Sequence, residues 1–231
     1  MGRYDRQLIL PEVGEEGQQK IQKAKVLIVG VGGLGSPIAY YLCGAGIGTI
    51  GLLDDDVVSE HNLQRQVLYV ENEVGRSKAE CAAQRLRQLN SSIEYRVHNC
   101  RLTPENAREI IASYDIVVDG CDNFATRYLM DDVCRAQGKP YVYGAIGQFE
   151  GQVSVFNYGE PKHHYRNLYP DEERMLTMEP PSKGVMGFTP GVVGCVEASE
   201  VMKIVCGYGE VLSGKLWIMD LKSGFFNIFS L

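Results

Sequence analysis

The first half of the chain alternates between two hydrophobic patterns. Short apolar runs of strand length predict buried strands at residues 25–29, 49–53, 93–97, 115–119 and 140–143. Between them, apolar residues spaced for one face of a helix predict helices at 15–24, from the turn at 30–35 to about 44, and at 77–89, 104–113 and 123–137. Strands that alternate with helices of this length are typical of a mostly parallel sheet with right-handed crossovers.

The second half of the chain has a different pattern. Residues 152–158 and 215–220 are predicted strands, and 224–231 are predicted to pair with the latter as a hairpin. Residues 191–206 are predicted to form a helix, whereas 159–190 show little periodicity and are predicted to form a long irregular loop. The fold class is therefore α/β, a Rossmann-like and mostly parallel sheet with helices on both faces, extended by a C-terminal antiparallel portion.

Length, charge and cysteine content limit the kinds of partner and cellular location that the sequence favours. The length of 231 residues suits one large α/β domain, and a net charge of −6 disfavours nucleic acid or an anionic membrane as the main partner. The N-terminus has no apolar run typical of a signal peptide, and no window approaches the roughly 18 apolar residues of a membrane span. The seven cysteines never form a C-x-x-C pair, which disfavours a disulfide framework and favours a reducing, cytoplasmic location.

A glycine-rich turn follows the first predicted strand. Residues 30–35 (Gly-Val-Gly-Gly-Leu-Gly) match G-x-G-x-x-G, in which glycines let the backbone approach phosphate oxygens at a helix N-terminus. Asp54 follows at the end of the next predicted strand, where a carboxylate can bind a ribose diol. The predicted nucleotide-binding residues of this motif are Gly30, Gly32, Gly33, Gly35 and Asp54. The pattern suits NAD as well as ATP, and a turn without a ligand is the alternative.

Charged residues downstream favour a nucleotide triphosphate. Arg65 and Lys78 are candidates to bind phosphates and to stabilise a departing pyrophosphate. Asp122 follows the predicted strand 115–119, at the edge of the sheet where a ligand crevice is expected, and a carboxylate there suits Mg²⁺. Each has a simpler alternative: a solvated cation on a helix surface, or an N-cap formed by Asp122 and Asn123.

Taken together, these motifs resemble the ThiF/MoeB/HesA family, the bacterial relatives of ubiquitin-activating enzymes. The resemblance covers essentially the whole chain. The matching stretches are Arg-Tyr-Asp-Arg-Gln at 3–7, the glycine turn at 30–35, Leu-Asp at 53–54, Asn-Leu-Gln-Arg-Gln at 62–66, Gly75 with Lys78, Asp-Asn at 122–123, Gly-Ala at 144–145, Glu-Gly-Gln at 150–152 and Gly-Tyr-Gly at 207–209.

The resemblance implies an ATP- and Mg²⁺-dependent adenylyltransferase. Its substrate would be the C-terminal Gly-Gly carboxylate of a ubiquitin-like sulfur-carrier protein, converted to an acyl-adenylate with release of pyrophosphate. The implied roles are phosphate contacts for Asn62, Arg65 and Lys78, ribose binding for Asp54 and Mg²⁺ binding for Asp122. Arg6 would reach the phosphates of a neighbouring subunit, which implies a homodimer.

The resemblance also implies a single adenylating domain over residues 1–231. Residues 1–150 would form its nucleotide-binding half, and 151–231 would contain the crossover loop, at 159–190, and the carrier-binding half. A ThiS-like carrier of thiamine biosynthesis is favoured, and a MoaD-like carrier of molybdopterin synthesis is the alternative. Two alternatives are not adenylyltransferases: an NAD-dependent oxidoreductase, and a non-catalytic Rossmann-like binding module.

The chain departs from the family at two places. Many relatives bind structural zinc through two C-x-x-C pairs, but residues 164–167 stand where the first pair would lie and no second pair precedes Leu231, so no zinc site is predicted. Some relatives carry a reactive cysteine in the crossover loop, yet no cysteine lies between Cys134 and Cys195. Cys195 lies in an apolar helical pattern and is assigned to packing. We therefore expect a separate protein to donate sulfur.

Overall fold

One eight-stranded sheet organises the computed structural model, which describes residues 2–178 and 184–231. In chain order its strands are β1 (Lys25–Val29), β2 (Thr49–Leu53), β3 (Glu94–His98), β4 (Ile116–Asp119), β5 (Tyr141–Gly147), β6 (Glu150–Phe156), β7 (Lys215–Asp220) and β8 (Phe225–Ser230). Their order across the sheet is β3-β2-β1-β4-β5-β6-β7-β8. Neighbours from β3 to β5 are parallel, and neighbours from β5 to β8 are antiparallel.

Helices cover both faces of this sheet. The helices of the described residues are α1 (Asp5–Leu8), α2 (Gly14–Lys23), α3 (Gly35–Ala45), α4 (Lys78–Leu89), α5 (Ala107–Ala112), α6 (Phe124–Gln137), α7 (Tyr165–Leu168), α8 (Glu172–Thr177) and α9 (Phe188–Cys206). Two short 3₁₀ helices, Glu60–Asn62 and Glu71–Glu73, lie between β2 and α4. Among the residues described, no helix is both long and apolar enough to cross a membrane.

Alternation along the strands divides the core into two layers. Val26 and Ile28 of β1 pack with one apolar cluster, which includes residues of α3, α4 and α9. Leu27 and Val29 point to the opposite face and pack with a second cluster, which includes residues of α5, α6 and α7. Strands buried on both faces need continuous apolar runs, which is the pattern from which β1, β2 and β4 were predicted. The predicted fold class is therefore confirmed.

The prediction of an irregular loop over residues 159–190 is only partly correct. Two short helices, α7 and α8, form inside it, and α9 begins at Phe188 rather than after Pro190. The Asp171 carboxylate caps α8 by accepting the Arg174 N–H at 3.0 Å. Pro190 lies in the first turn of α9, where a proline is compatible with a helix. Tyr165 is fully buried, so tertiary packing supports α7. Residues 179–183 of the predicted crossover loop lie outside the described residues.

The sheet reverses its strand order between β1 and β4, which opens a crevice at the carboxyl ends of these strands. Two turns meet there. Gly30 follows β1 with φ of +88°, and a Cβ on it would lie 2.6 Å from the carbonyl oxygen of Gly120, which follows β4. Only glycine fits so close an approach with a positive φ.

Candidate active site

A cavity of about 470 Å³ lies in this crevice. The structure brings most of the predicted site residues to its walls, although they come from separate loops. The predicted residues that line it are Gly30, Gly32, Gly33, Asp54, Arg65, Lys78 and Asp122. The predicted Gly35, Asn62 and Arg6 do not line it.

The glycine turn forms one wall of the cavity. Gly32 and Gly33 line the cavity without side chains of their own, so a phosphate can approach their backbone closely. Gly35 has a different role, because it begins α3 and a Cβ there would overlap the carbonyl oxygen of Gly30. This glycine therefore serves helix–strand packing behind the cavity.

Asp54 lies at the end of β2 and is 9% exposed. Its Oδ2 accepts the Val31 N–H at 2.7 Å and its Oδ1 accepts the Asp56 N–H at 2.9 Å. Burial raises the pKa of the Asp54 carboxyl, and these two hydrogen bonds oppose that shift. A carboxylate offers about four lone-pair positions, so it can still accept hydrogen bonds from a ribose.

Lys78 begins α4 with a side chain that is almost completely buried. Its Nζ forms an ion pair with Asp56 Oδ2 at 2.9 Å, and its backbone N–H donates to the Asp56 carbonyl oxygen at 3.0 Å. The Asp56 side chain is largely exposed, so it can move away without loss of packing. A phosphate in the cavity could therefore replace Asp56 as the partner of the lysine.

Arg65 lies over the glycine turn, and the predicted Asn62 supports it from behind. The Arg65 Cδ is 3.8 Å from the position that a Cβ on Gly33 would occupy. Asn62 is buried; its Oδ1 accepts the Ser59 N–H at 3.2 Å, and its carbonyl oxygen accepts the Arg65 N–H at 3.0 Å. The side chain of Asn62 thus caps the short helix that places Arg65.

Arg6 lies on α1 and is exposed. Because it does not line the cavity of its own chain, a single copy of the chain does not bring it to the other cations.

Asp122 is the exposed carboxylate of the loop between β4 and α6. Within the described part of the chain, no hydrogen bond or ion pair involves its side chain. The helix cap is formed by Asn123, whose Oδ1 accepts the Thr126 N–H at 2.9 Å. Of the two residues considered for the cap, Asp122 is therefore the one that stays free to bind a ligand.

The donors present fit a magnesium ion. The carboxylate oxygens of Asp54, Asp55 and Asp56 lie within 4.8 Å of one another, and Asp122 lines the same cavity. Mg²⁺ prefers carboxylate oxygens together with phosphate oxygens of a substrate. Asp122, with Asp55 and Asp56, would hold the ion, and Asp54 would remain available to the ribose.

Two arginines of the cavity were not predicted. Arg101 follows the carboxyl end of β3, so the positional rule that identified Asp54 and Asp122 could have identified it as well. Arg127 lies on α6 and is nearly fully buried in an ion pair with Asp119, at 3.0 Å between Nε and Oδ2. No sequence pattern marks this pair, because helix periodicity places Arg127 without revealing its partner on β4.

Comparisons with known proteins identify the family and the fold. The model of the ThiF family matches residues 4–231. A probable molybdopterin-synthase adenylyltransferase of Porphyra purpurea is 46% identical and aligns with 92% of this chain and 56% of its own length. A sulfur carrier protein adenylyltransferase of Thermus thermophilus is 45% identical over 95% of this chain and 83% of its own. The crystal structure of E. coli MccB with ATP has a TM-score of 0.85 at 24% identity, covering 99% of this chain and 70% of that one.

The three kinds of match differ in how much of each protein they cover and in sequence identity, and so in what they show. The chain spans only 50% to 57% of the length of the first curated relatives that it matches. The likeness to MccB, at 24% identity, shows the fold alone. The family match, however, covers nearly every residue and includes the whole cavity. The chain therefore belongs to the ThiF family.

Proposed function

We propose that this protein is an ATP-dependent adenylyltransferase that activates the C-terminal Gly-Gly carboxylate of a ubiquitin-like sulfur-carrier protein. One observation carries the proposal: the cavity joins a glycine turn, the buried carboxylate of Asp54, the cations Arg65 and Lys78 and the exposed carboxylate of Asp122. Relatives with adenylyltransferase names, at 45% and 46% identity, support it.

The reaction needs alignment and neutralisation of charge. A carboxylate oxygen of the carrier attacks the α-phosphorus of ATP, and the bond from that phosphorus to the bridging oxygen breaks. The electron pair leaves with pyrophosphate, and the carrier becomes an acyl-adenylate. No general base is required, because the attacking carboxylate is ionised at neutral pH. Catalysis would consist of holding two anions together.

The residues of the cavity suit this task. Arg65 and Lys78 would compensate charge on the α-phosphate and on the departing pyrophosphate, and the buried position of Lys78 strengthens its effect. Asp54 would hold the ribose. Mg²⁺, bound at Asp122, would neutralise phosphate charge during the transfer. The scheme needs no general acid, because pyrophosphate leaves as an anion.

The identity of the carrier is a separate part of the proposal. We propose a ThiS-like carrier first. A MoaD-like carrier is the second candidate, favoured by the relative named as a molybdopterin-synthase adenylyltransferase. Both carriers end in the same Gly-Gly tail, so the chemistry of the cavity suits either.

We also propose that the active form is a homodimer. Arg6 does not line the cavity of its own chain, so its implied role requires a second copy. An apolar groove of about 860 Å³ between α3 and α9 offers surface of the kind that homodimers bury. Residues that line it include Tyr40, Tyr41, Val192, Cys195 and Val196.

The sulfur step is assigned to a separate donor protein. Cys121 is the cysteine that lines the cavity, and burial raises the pKa of its thiol well above the ordinary value. Burial also raises the pKa of the Cys195 thiol. A thiol that remains protonated is a poor nucleophile, which disfavours a covalent link to the carrier at either position.

ATP–pyrophosphate exchange with purified protein tests the proposal. With Mg²⁺ and a Gly-Gly carrier, labelled pyrophosphate should enter ATP, and mass spectrometry should detect the carrier acyl-adenylate. Running ThiS-like and MoaD-like carriers in parallel chooses between them. Failure to exchange with any carrier would refute adenylation, and thermal stabilisation by NADH without stabilisation by Mg·ATP would favour the oxidoreductase instead.

A further inference from the structure

A buried ion pair lies directly beneath Asp122. Arg127 of α6 and Asp119 of β4 join at 3.0 Å between Nε and Oδ2, with side chains 9% and 0% exposed. The hydroxyl of Tyr141 donates to the same Oδ2 at 2.8 Å, which fixes the carboxylate of Asp119. A pair so completely removed from water is costly unless its remaining polar groups are also bonded.

Those remaining groups bind the backbone of the residue before Asp122. Asp119 Oδ1 accepts the N–H of Cys121 at 2.9 Å, and Arg127 Nη2 donates to the carbonyl oxygen of Cys121 at 3.0 Å. The ion pair therefore holds both polar backbone groups of Cys121. The same Nη2 also donates to the Gly144 carbonyl oxygen at 3.3 Å, which ties the loop to β5.

The residue after Asp122 is fixed as well. The Asn123 side chain caps α6 through Thr126, and the Cys121 thiol lies 3.7 Å from the Asn123 carbonyl oxygen as a hydrogen-bond donor. Asp122 thus lies between two residues whose backbone positions are set by hydrogen bonds. Its own carboxylate, in the described part of the chain, is held by nothing.

We propose that Arg127, acting with Asp119, is a positioning residue that fixes the place of the Asp122 carboxylate in the cavity and thereby sets its affinity for a divalent metal. The inference rests on the proposed function, since that proposal assigns Asp122 to Mg²⁺. Groups behind a metal ligand commonly act in this way, and their loss weakens metal binding about 10–100-fold.

The shape of the guanidinium explains why lysine could not replace it. Arginine presents donors in a planar fork, so Arg127 reaches Asp119, Cys121 and Gly144 at once. A lysine at this position keeps the positive charge beside Asp119 but offers a single nitrogen. Arg127→Lys therefore removes the geometry while it preserves the charge pair.

Direct measurement of metal binding tests the proposal. Mn²⁺ serves as the probe, and its binding is followed by electron paramagnetic resonance in the presence of an α,β-methylene ATP analogue that cannot react. Thermal melting is measured for each variant, and binding of the analogue without metal is measured as a second reference. Tyr141→Phe is the matched control, because it removes one bond to Asp119 yet leaves both bonds to Cys121 intact.

Arg127→Lys should weaken Mn²⁺ binding about 10–100-fold, while binding of the analogue without metal is unchanged. Tyr141→Phe should bind Mn²⁺ like the wild type. If Arg127→Lys does not fold, the double variant Asp119→Asn/Arg127→Gln replaces it, because removing both charges leaves neither buried alone. The same loss of Mn²⁺ affinity is expected there.

Wild-type Mn²⁺ affinity in the arginine variants would overturn the positioning role if Asp122→Ala loses the metal, and the proposed function would then survive. Equal weakening in Tyr141→Phe would also overturn it, because the effect would then follow from general loosening of the core. If Asp122→Ala itself binds Mn²⁺ normally, the metal assignment in the proposed function is wrong, and the inference built on it is overturned too.

Discussion

At the scale of single residues, the cavity depends on charges that differ sharply in their surroundings. Lys78 is buried beside an exposed aspartate that a phosphate can displace, whereas Arg65 is half-buried and, among the described residues, its side chain bonds only to the His61 carbonyl oxygen, at 3.1 Å. Asp122 is exposed and unpaired in the described part of the chain. Because each group differs in what already neutralises it, substitutions at these positions should have distinguishable effects.

Arg65→Ala should slow ATP–pyrophosphate exchange by about 10²–10³-fold, which corresponds to roughly 3–4 kcal/mol of transition-state stabilisation. The melting temperature should change little, because the Arg65 side chain makes a single hydrogen bond within residues 2–178 and 184–231. Arg76→Ala is the control: Arg76 is exposed, bonds to Gln84 at 3.1 Å and does not line the cavity. Equal slowing in the two variants would remove Arg65 from the reaction.

Glu197→Gln should alter the pH dependence of stability. Glu197 is fully buried on α9, neither carboxylate oxygen has a hydrogen-bond partner among the described residues, and burial raises its pKa well above the usual 4.5. The folded state therefore keeps a proton that the unfolded chain loses as the pH rises above about 4.5. This group makes the wild type less stable with rising pH.

Glutamine has no proton to lose, so the variant should gain stability relative to the wild type between acidic and neutral pH. Urea unfolding at several pH values measures the difference in the free energy of unfolding. A difference that stays constant with pH would show that Glu197 is already ionised in the folded protein.

At the scale of elements, the glycine turn requires a glycine at position 30, whereas the helix that follows it does not require one at position 44. Gly30 needs its positive φ and its contact with Gly120, whereas Gly44 lies in α3 with nothing within 4 Å of a Cβ. Gly30→Ala should destabilise the fold by more than the roughly 1–2 kcal/mol of a left-handed backbone, because the Cβ also meets Gly120. Gly44→Ala should stabilise it by about 0.5–1 kcal/mol.

Urea denaturation of both variants checks this pair. Similar free energies of unfolding for Gly30→Ala and the wild type would mean that the two turns separate readily. The turn would then be a flexible element rather than a fixed wall of the cavity.

Elements could be predicted from the sequence where local pattern and burial agree. The ends of β1, β2 and β7 were predicted correctly from their apolar runs, which are buried in β1 and β2 and partly buried in β7. Helix α7 was not predicted, because Tyr165 is held by the distant aromatic rings of Tyr128 and Tyr143. Helix α8 was not predicted, because its six residues are too few to show a helical periodicity, although Asp171 caps it. The same holds for the site. Asp54 and Asp122 were predicted from their positions after strands, whereas Arg127 was not predicted, because its place depends on an ion pair with Asp119 of β4.

At the scale of the whole molecule, the position of Arg6 bears on the number of chains that form one active site. Arg65, Lys78 and Asp122 of a single chain line the cavity, but Arg6 does not line it. If two copies exchange Arg6, each site combines residues of both chains. Mixing variants can then restore activity that neither variant has alone.

Arg6→Ala and Asp122→Ala, each inactive in exchange, should regain roughly a quarter of wild-type activity after unfolding and refolding together. Half of the dimers would be mixed, and each would contain one intact site. Arg65→Ala mixed with Asp122→Ala should stay inactive, because those residues line the same cavity of one chain. Absence of recovery in the first mixture would contradict the shared site, as would a monomer in sedimentation analysis.

Residues 185–187, directly before α9, restrict which substitutions the chain can accept beside the cavity. Gly187 precedes α9, and any side chain there would strike the carbonyl oxygen of Gln64, the neighbour of Arg65. The Gln64 amide in turn donates to the Val185 carbonyl oxygen at 3.5 Å. A side chain at position 187 would therefore displace the backbone beside Arg65, so a substitution there would need a compensating change at Gln64.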